Sequence, residues 1–244
     1  MKKLNTILAA ASALLMLTVT SANSVEFKAG VSANGMAAYA NAKETIKGAT
    51  GSTTQGTGRT TNAEAILAAS FASVFAEISS DEAMGLGIGI SYAPEVVDLE
   101  KETRTIQNTD GTGTQPGDAS NDSGDQIIDG KIQDLMSVYL TMPVMDSGAY
   151  VKAGYIQATF ITSENLATGS KYEDVDLTGM QVGAGYEGAL GDMAFWRAEG
   201  SYQIWDDISS TGSESNNGTT DSSKNKISAE LGSVTGTLSV GVKF

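Results

Sequence analysis

A two-residue alternation of apolar and polar side chains recurs along this chain and leaves few folds open. In the last stretch Leu238, Val240, Val242 and Phe244 alternate with Thr237, Ser239, Gly241 and Lys243. A period of two marks a strand with one apolar and one polar face. The pattern starts at Val25. There Phe27, Ala29, Val31, Ala33, Ala37 and Tyr39 share its face, and Glu26, Lys28, Gly30, Ser32 and Asn34 lie opposite. Further on, Met84, Leu86, Ile88, Ile90 and Tyr92 alternate with Gly85, Gly87, Gly89 and Ser91. So many glycines weaken an ordinary strand, but they suit the crowded inner wall of a small barrel.

Three more segments repeat the pattern. Ile132, Met136, Val138, Leu140 and Met142 oppose Gln133, Ser137, Tyr139 and Thr141. Met180, Val182, Ala184 and Tyr186 oppose Gln181, Gly183, Gly185 and Glu187. Ala194, Trp196, Ala198, Tyr202 and Ile204 oppose Arg197, Glu199, Ser201 and Gln203. Residues 149–162 start in the same way, with Val151, Ala153 and Tyr155 against Lys152 and Gly154. Beyond Tyr155 the phase is lost, which allows a bulge. Residues 63–78 are alanine-rich and by propensity suit a helix. Their place before the polar turn Ser79–Glu82 argues for a strand. The final segment slips phase: Ile227, Ala229 and Leu231 hold odd positions, but Leu238 to Phe244 hold even ones. A bulge at Gly232-Ser233 explains the slip. A turn over 232–236 would instead make a ninth strand, whereas single-chain bacterial barrels have even strand numbers.

Eight strands leave seven connections, and these alternate long and short. The long ones are 41–62, 94–131, 163–173 and 206–224; the short ones are 79–82, 143–148 and 188–192. The long ones are rich in Thr, Ser, Gly, Asn and Asp, which reads as exposed loop. A soluble sandwich has no reason to gather every long loop at one end. An up-and-down membrane barrel has this rhythm, with short turns on one side and long loops on the other. The expected fold is therefore all-β: an antiparallel, eight-stranded transmembrane barrel over residues 25–244.

The remaining features agree. Lys2 and Lys3, an apolar run over 4–19 and the small residues Ala22-Asn23-Ser24 have the three parts of a secretory signal peptide over 1–24. There is no cysteine, so disulfides contribute nothing, and no histidine, the commonest general base and metal ligand. Net charge is −14. Loss of a leader holding two lysines and no acid takes −14 to −16. Such a chain repels phosphates, which excludes electrostatic nucleic-acid binding. After residue 24 no apolar run approaches the roughly 20 residues of a helical span.

With signal peptide, loop rhythm and terminal Phe244 in view, the chain resembles the small eight-stranded bacterial outer-membrane barrels, the type of OmpX and the membrane domain of OmpA. The resemblance is architectural and covers residues 25–244. It implies an outer-membrane location, contact with lipid and lipopolysaccharide, and folding by the barrel-assembly machinery, which the terminal strand would engage. A monomer is expected.

The two faces then acquire roles. Phe27, Tyr39, Tyr92, Tyr186, Trp196, Tyr202 and Phe244 fall near strand ends, where interfacial girdles place amphipathic rings. Lys28, Lys152, Gln181, Arg197, Glu199, Gln203 and Glu230 are expected to form a polar network in the lumen, together with Asn34, Gln133, Glu187 and Lys243. Charges are costly in lipid and can pair inside. Arg197 and Lys152 are expected to bridge to Glu199, Glu187 or Glu230. Eight strands enclose only enough room for side chains, so the interior should be filled.

The expected function is non-catalytic: a barrel with acidic external loops, for envelope structure or for recognition and attachment through a ligand on the loops. The alternative is a porin-like pore for small solutes. Without histidine, a Ser-His-Asp constellation cannot form. No cofactor or metal is expected. Asp118, Asn121, Asp122, Asp125 and Asp129 could offer oxygens to calcium, but their spacing does not fit an EF-hand loop.

Overall fold

The computed structural model describes residues 25–46, 59–80, 84–93, 97–98, 102–106, 124–165, 173–215 and 224–244. The proposed leader, 1–24, lies outside these, as do Asp118, Asn121 and Asp122. The strands are β1 (Val25–Ile46), β2 (Arg59–Ser80), β3 (Leu86–Ala93), β4 (Val97–Asp98), β5 (Glu102–Ile106), β6 (Gly124–Pro143), β7 (Ala149–Asn165), β8 (Val175–Ala189), β9 (Ala194–Trp205), β10 (Ile208–Ser215) and β11 (Lys224–Lys243). Each wall strand pairs antiparallel with its neighbour in the chain, and β1 pairs with β11 to close the sheet. The short β4 and β5 pair with β6 and continue the β3 wall; β10 pairs with β11 beyond β9. The walls are thus eight, and the fold is a closed up-and-down barrel. From the turns up to Val74↔Tyr92 each wall strand is paired on both sides, as a strand protein in lipid requires. The seam is tied at its base, where Phe27 and Phe244 exchange backbone hydrogen bonds of 2.9 and 3.0 Å.

The alanine-rich stretch 63–78 is strand, as its place before the polar turn indicated, and its backbone pairs with β1 without a break from Val25↔Ser80 to Ile46↔Arg59. Three other sequence expectations need correction. The long loops are shorter than composition suggested: 41–46, 59–62, 124–131, 163–165 and 208–215 all lie in strands. These extensions stand in water on their outer side. Nothing there demands an apolar face, so the alternation that reveals a membrane strand is missing.

The second and third corrections concern bulges. β11 has no slip at Gly232-Ser233; its register to β1 is continuous from Lys243 to Lys226. There is no bulge after Tyr155 in β7 either, since its register to β8 runs unbroken from Ala149 to Phe160. The bulge sits on the neighbouring strand, β6, where three steps from Gln133 to Met136 oppose two steps on β7. Asp134 occupies it with φ 54°, a conformation that Asp tolerates better than most residues. The bulge lets Ile132 point inward while Leu140 and Met142, of the same parity, point outward.

What slips in β7 and β11 is the surroundings. Near the turns the outer wall is apolar: Val31, Val74, Leu140, Val151, Val182, Leu238, Val240 and Val242 are all exposed. Beyond Tyr39 and Tyr92 the exposed positions become Asn41, Lys43, Asn62, Glu64, Asp134, Asp176, Asp206 and Glu230. At that level the apolar side chains turn inward. Met36, Ile132, Ile156, Ala158, Leu177 and Trp205 form a buried cluster, with Leu67, Phe71, Phe160 and Leu231 packed against it. The lower barrel is apolar outside, and the upper barrel is apolar inside.

Candidate functional site: the barrel interior

The lumen is stacked in three layers. The layer nearest the short turns is ionic. Arg197 on β9 donates from Nη1 and Nη2 to both carboxylate oxygens of Glu77 on β2, at 2.8 and 2.7 Å. Its Nε donates to Glu187 on β8 at 2.7 Å. Lys28 on β1 reaches Glu187 at 3.0 Å, and Lys152 on β7 reaches Glu199 at 2.8 Å. The Tyr150 hydroxyl donates to Glu199 at 2.9 Å. Three cations therefore meet three carboxylates, and Glu77 and Arg197 are almost wholly buried. Aromatic rings enclose the charges: the Arg197 guanidinium lies 5.2–5.5 Å from the rings of Phe75, Tyr150 and Phe195, and Lys152 lies 4.2 Å from Tyr139. Such pairs are worth most when desolvated.

Inward glycines make room for these rings. A Cβ on Gly89 would collide with the Tyr139 ring, and one on Gly87 with Thr141 and approach Glu77. The glycine face read from 85–91 is thus the wall against which the ionic layer packs.

The middle layer is polar and neutral. Ser32 and Ser239 share a 2.8 Å hydrogen bond. Asn34 donates to Ser73 at 2.9 Å and accepts from Thr237 at 2.9 Å. Gln181 donates to Ser137 at 2.8 Å. Gln203 donates to Ser201 and accepts from Ser233, both at 2.8 Å. These groups surround an internal cavity of about 80 Å³. At some 10–15 Å³ per water centre, it has space for several waters.

The third layer is the apolar cluster at the loop end. Trp205 joins it to the middle layer by donating its indole N–H to Ser233 at 3.1 Å. The polar chamber therefore has ion pairs below it and packed apolar side chains above it.

Of the residues expected in the lumen, Lys28, Lys152, Gln181, Arg197, Glu199 and Gln203 lie in these layers. Glu230 does not. It is exposed on the outer wall, paired in register with Asn41, because β11 keeps one phase throughout. Of the partners expected for Arg197 and Lys152, Glu187 and Glu199 are present. The main partner of Arg197, Glu77, was missed because 63–78 gave no clear face. Counting by two from Phe71 through Ser73 and Phe75 reaches it. Lys243 lies at the rim, 3.4 Å from Glu26. The seven strand-end aromatics all have exposed rings. Tyr39 and Tyr202 share a 2.8 Å hydrogen bond on the loop side, and Tyr92 donates to Asp134 at 2.8 Å. Phe27 and Tyr39 lie twelve residues apart on β1. At about 3.3 Å per residue and a tilt of about 40°, that spans roughly 30 Å of height, close to a hydrocarbon core.

Among the described residues no group of acidic side chains could hold a metal ion, and no helix is long and apolar enough to cross a membrane. Asp125 and Asp129 fall within β6. The exposed apolar belt, polar lower lumen and ring of boundary aromatics are those of an outer-membrane barrel.

No protein-family model matches the sequence, and no curated protein matches it. Several solved structures are similar to it over most of their length. The outer membrane protein OprG from Pseudomonas aeruginosa is 13% identical, with a TM-score of 0.44 over 91% of this chain and 96% of that one. Neisserial surface protein A is 13% identical, with a TM-score of 0.36 over 88% and 97%. The outer membrane protease OmpT from Escherichia coli is 11% identical, with a TM-score of 0.40 over 90% and 97%. At these identities the likeness concerns the fold alone.

Proposed function

We propose that this protein is a closed, non-catalytic scaffold of the outer membrane whose external connections serve envelope structure or surface attachment. The observation that supports this is the double closure of the lumen. The ionic layer pairs its own charges, and above the polar chamber the described lining turns apolar at Met36, Ile132, Ile156, Ala158, Leu177 and Trp205. A barrel that conducts needs a continuous polar lining. What remains available to partners is the outer wall, for lipid and lipopolysaccharide, and the loop end, for an extracellular ligand. Loops held on a rigid frame commonly carry function.

Two experiments test the reading. Liposomes bearing the refolded barrel should not swell in small sugars; rapid swelling would favour the porin-like alternative. Cells displaying the protein with 107–123 removed should lose surface attachment while the barrel still migrates as a folded, heat-modifiable species. Unchanged attachment would remove that loop from the account. Engagement of the assembly machinery by the terminal strand belongs to the same proposal. Deleting Phe244 should lower the amount of folded barrel in the membrane more than deleting 107–123. Equal amounts would contradict it.

A further inference from the structure

The two ends of the wall treat polarity differently. At the loop end the outward side chains become polar directly past Tyr39 and Tyr92. At the turn end exposed apolar side chains continue into the tips. Met84 stands in the first turn, Met145 in the second, and Leu190 and Met193 in the third, all exposed; Met84 and Met145 are 84% and 88% exposed. Exposed Phe244 adds to this ring at the barrel seam. The ring continues directly into the lipid-facing belt through Leu86, Met142 and Trp196.

Backbone geometry adds an independent observation. Met84 and Met145 have φ of 57° and 54°, the left-handed region that glycine fills more cheaply than any side chain. A turn chosen for its conformation alone would carry Gly or Asn there. Both tips instead carry a long, flexible apolar side chain in a disfavoured conformation and aim it outward. Local rules broken in this way point to a use for the side chain.

We infer that the three turn tips are embedded in the phospholipid leaflet on the turn side of the membrane and fix the depth of the barrel. Lipid is the occupant because the apolar ring is continuous with the belt that lipid already covers. The depth is bounded as well. The third turn also carries the exposed Asp192, which cannot enter hydrocarbon cheaply. The tips therefore rest at the boundary of headgroups and acyl chains, where a mixed apolar and acidic surface is satisfied. The inference rests on the membrane reading of the belt, not on the closure of the lumen.

The chain has no cysteine, so single-cysteine variants M84C, M145C and M193C can carry an environment-sensitive fluorophore. V240C serves as a belt control and N41C as a loop-end control. Each is refolded into vesicles of phosphatidylethanolamine and phosphatidylglycerol containing no other protein, and its folding is checked by heat-modifiable migration. Lipids spin-labelled near the headgroup should quench the three turn labels, and aqueous iodide should leave them bright, as with V240C. Iodide quenching as complete as for N41C would overturn the inference. So would protection that disappears as protein is diluted in lipid, since a second copy would then be the cover. Failure of V240C itself to be quenched by lipid would instead overturn the membrane reading. The unsubstituted chain gives a check free of variants. Met84 and Met145 should resist an aqueous oxidant in vesicles and oxidise readily after unfolding in urea. Equal oxidation in both states would contradict the proposal.

Discussion

The lower and upper halves of this barrel solve the same packing problem with opposite chemistry. In the lower half lipid takes the apolar side chains outward, and the lumen is filled by Arg197, Lys152, Lys28 and their three carboxylates. In the upper half water takes the polar side chains outward, and the lumen is filled by Met36, Ile156, Leu177 and Trp205. The strands run through both halves, and only the solvent outside them changes. Facing in strand proteins is thus set by what surrounds the wall at each height. A single strand can carry both patterns, as β11 does without a break in register.

The two fillings should fail differently when broken. Removing one partner of a buried ion pair leaves an uncompensated charge. Glu77→Ala should therefore cost about 3–5 kcal/mol, read from the urea midpoint of the vesicle-refolded barrel. Replacing both partners, as Glu77→Leu with Arg197→Met, should restore most of that loss, because the penalty lies in the unpaired charge. A double variant as unstable as the single one would mean that the ionic layer has no apolar substitute.

In the upper half the expected loss follows cavity formation. Leu177→Ala should cost about 2–4 kcal/mol. Combined with Glu77→Ala it should be additive to within about 0.5 kcal/mol, since the two share no partner. Strong coupling in that cycle would show that the two closures are one structure. The middle layer should be softer. Gln203→Ala removes a group that bonds Ser201, Ser233 and Thr235, and should cost about 1–3 kcal/mol. Glu230→Ala on the outer wall should stay within about 0.5 kcal/mol of the parent. A larger loss there would return Glu230 to the interior.

The contrast between the halves also explains what could be read in advance. Strand count, closure and the lumen positions of Arg197, Glu199, Lys152 and Gln203 were legible, because in lipid the alternation must be strict. The upper strands were not. There Thr, Ser and Asn face water, and apolar residues occupy the phase that polar, lumen-facing ones hold lower down, so Ile156 after Tyr155 and Leu231 before Leu238 looked like slips. Glu77 was hidden because the alanines of this stretch fall on both faces of the strand, at 63, 65 and 69 and at 68, 72 and 76, and carry no facing information. The bulge at Asp134 could not be found from β6 alone. It appears only when β6 and β7 are laid in register.

Planar-bilayer conductance of the refolded, unsubstituted chain tests the proposed double closure of the lumen. The two closures predict no stable open level at either polarity. Steady stepwise channels from the folded monomer would contradict them.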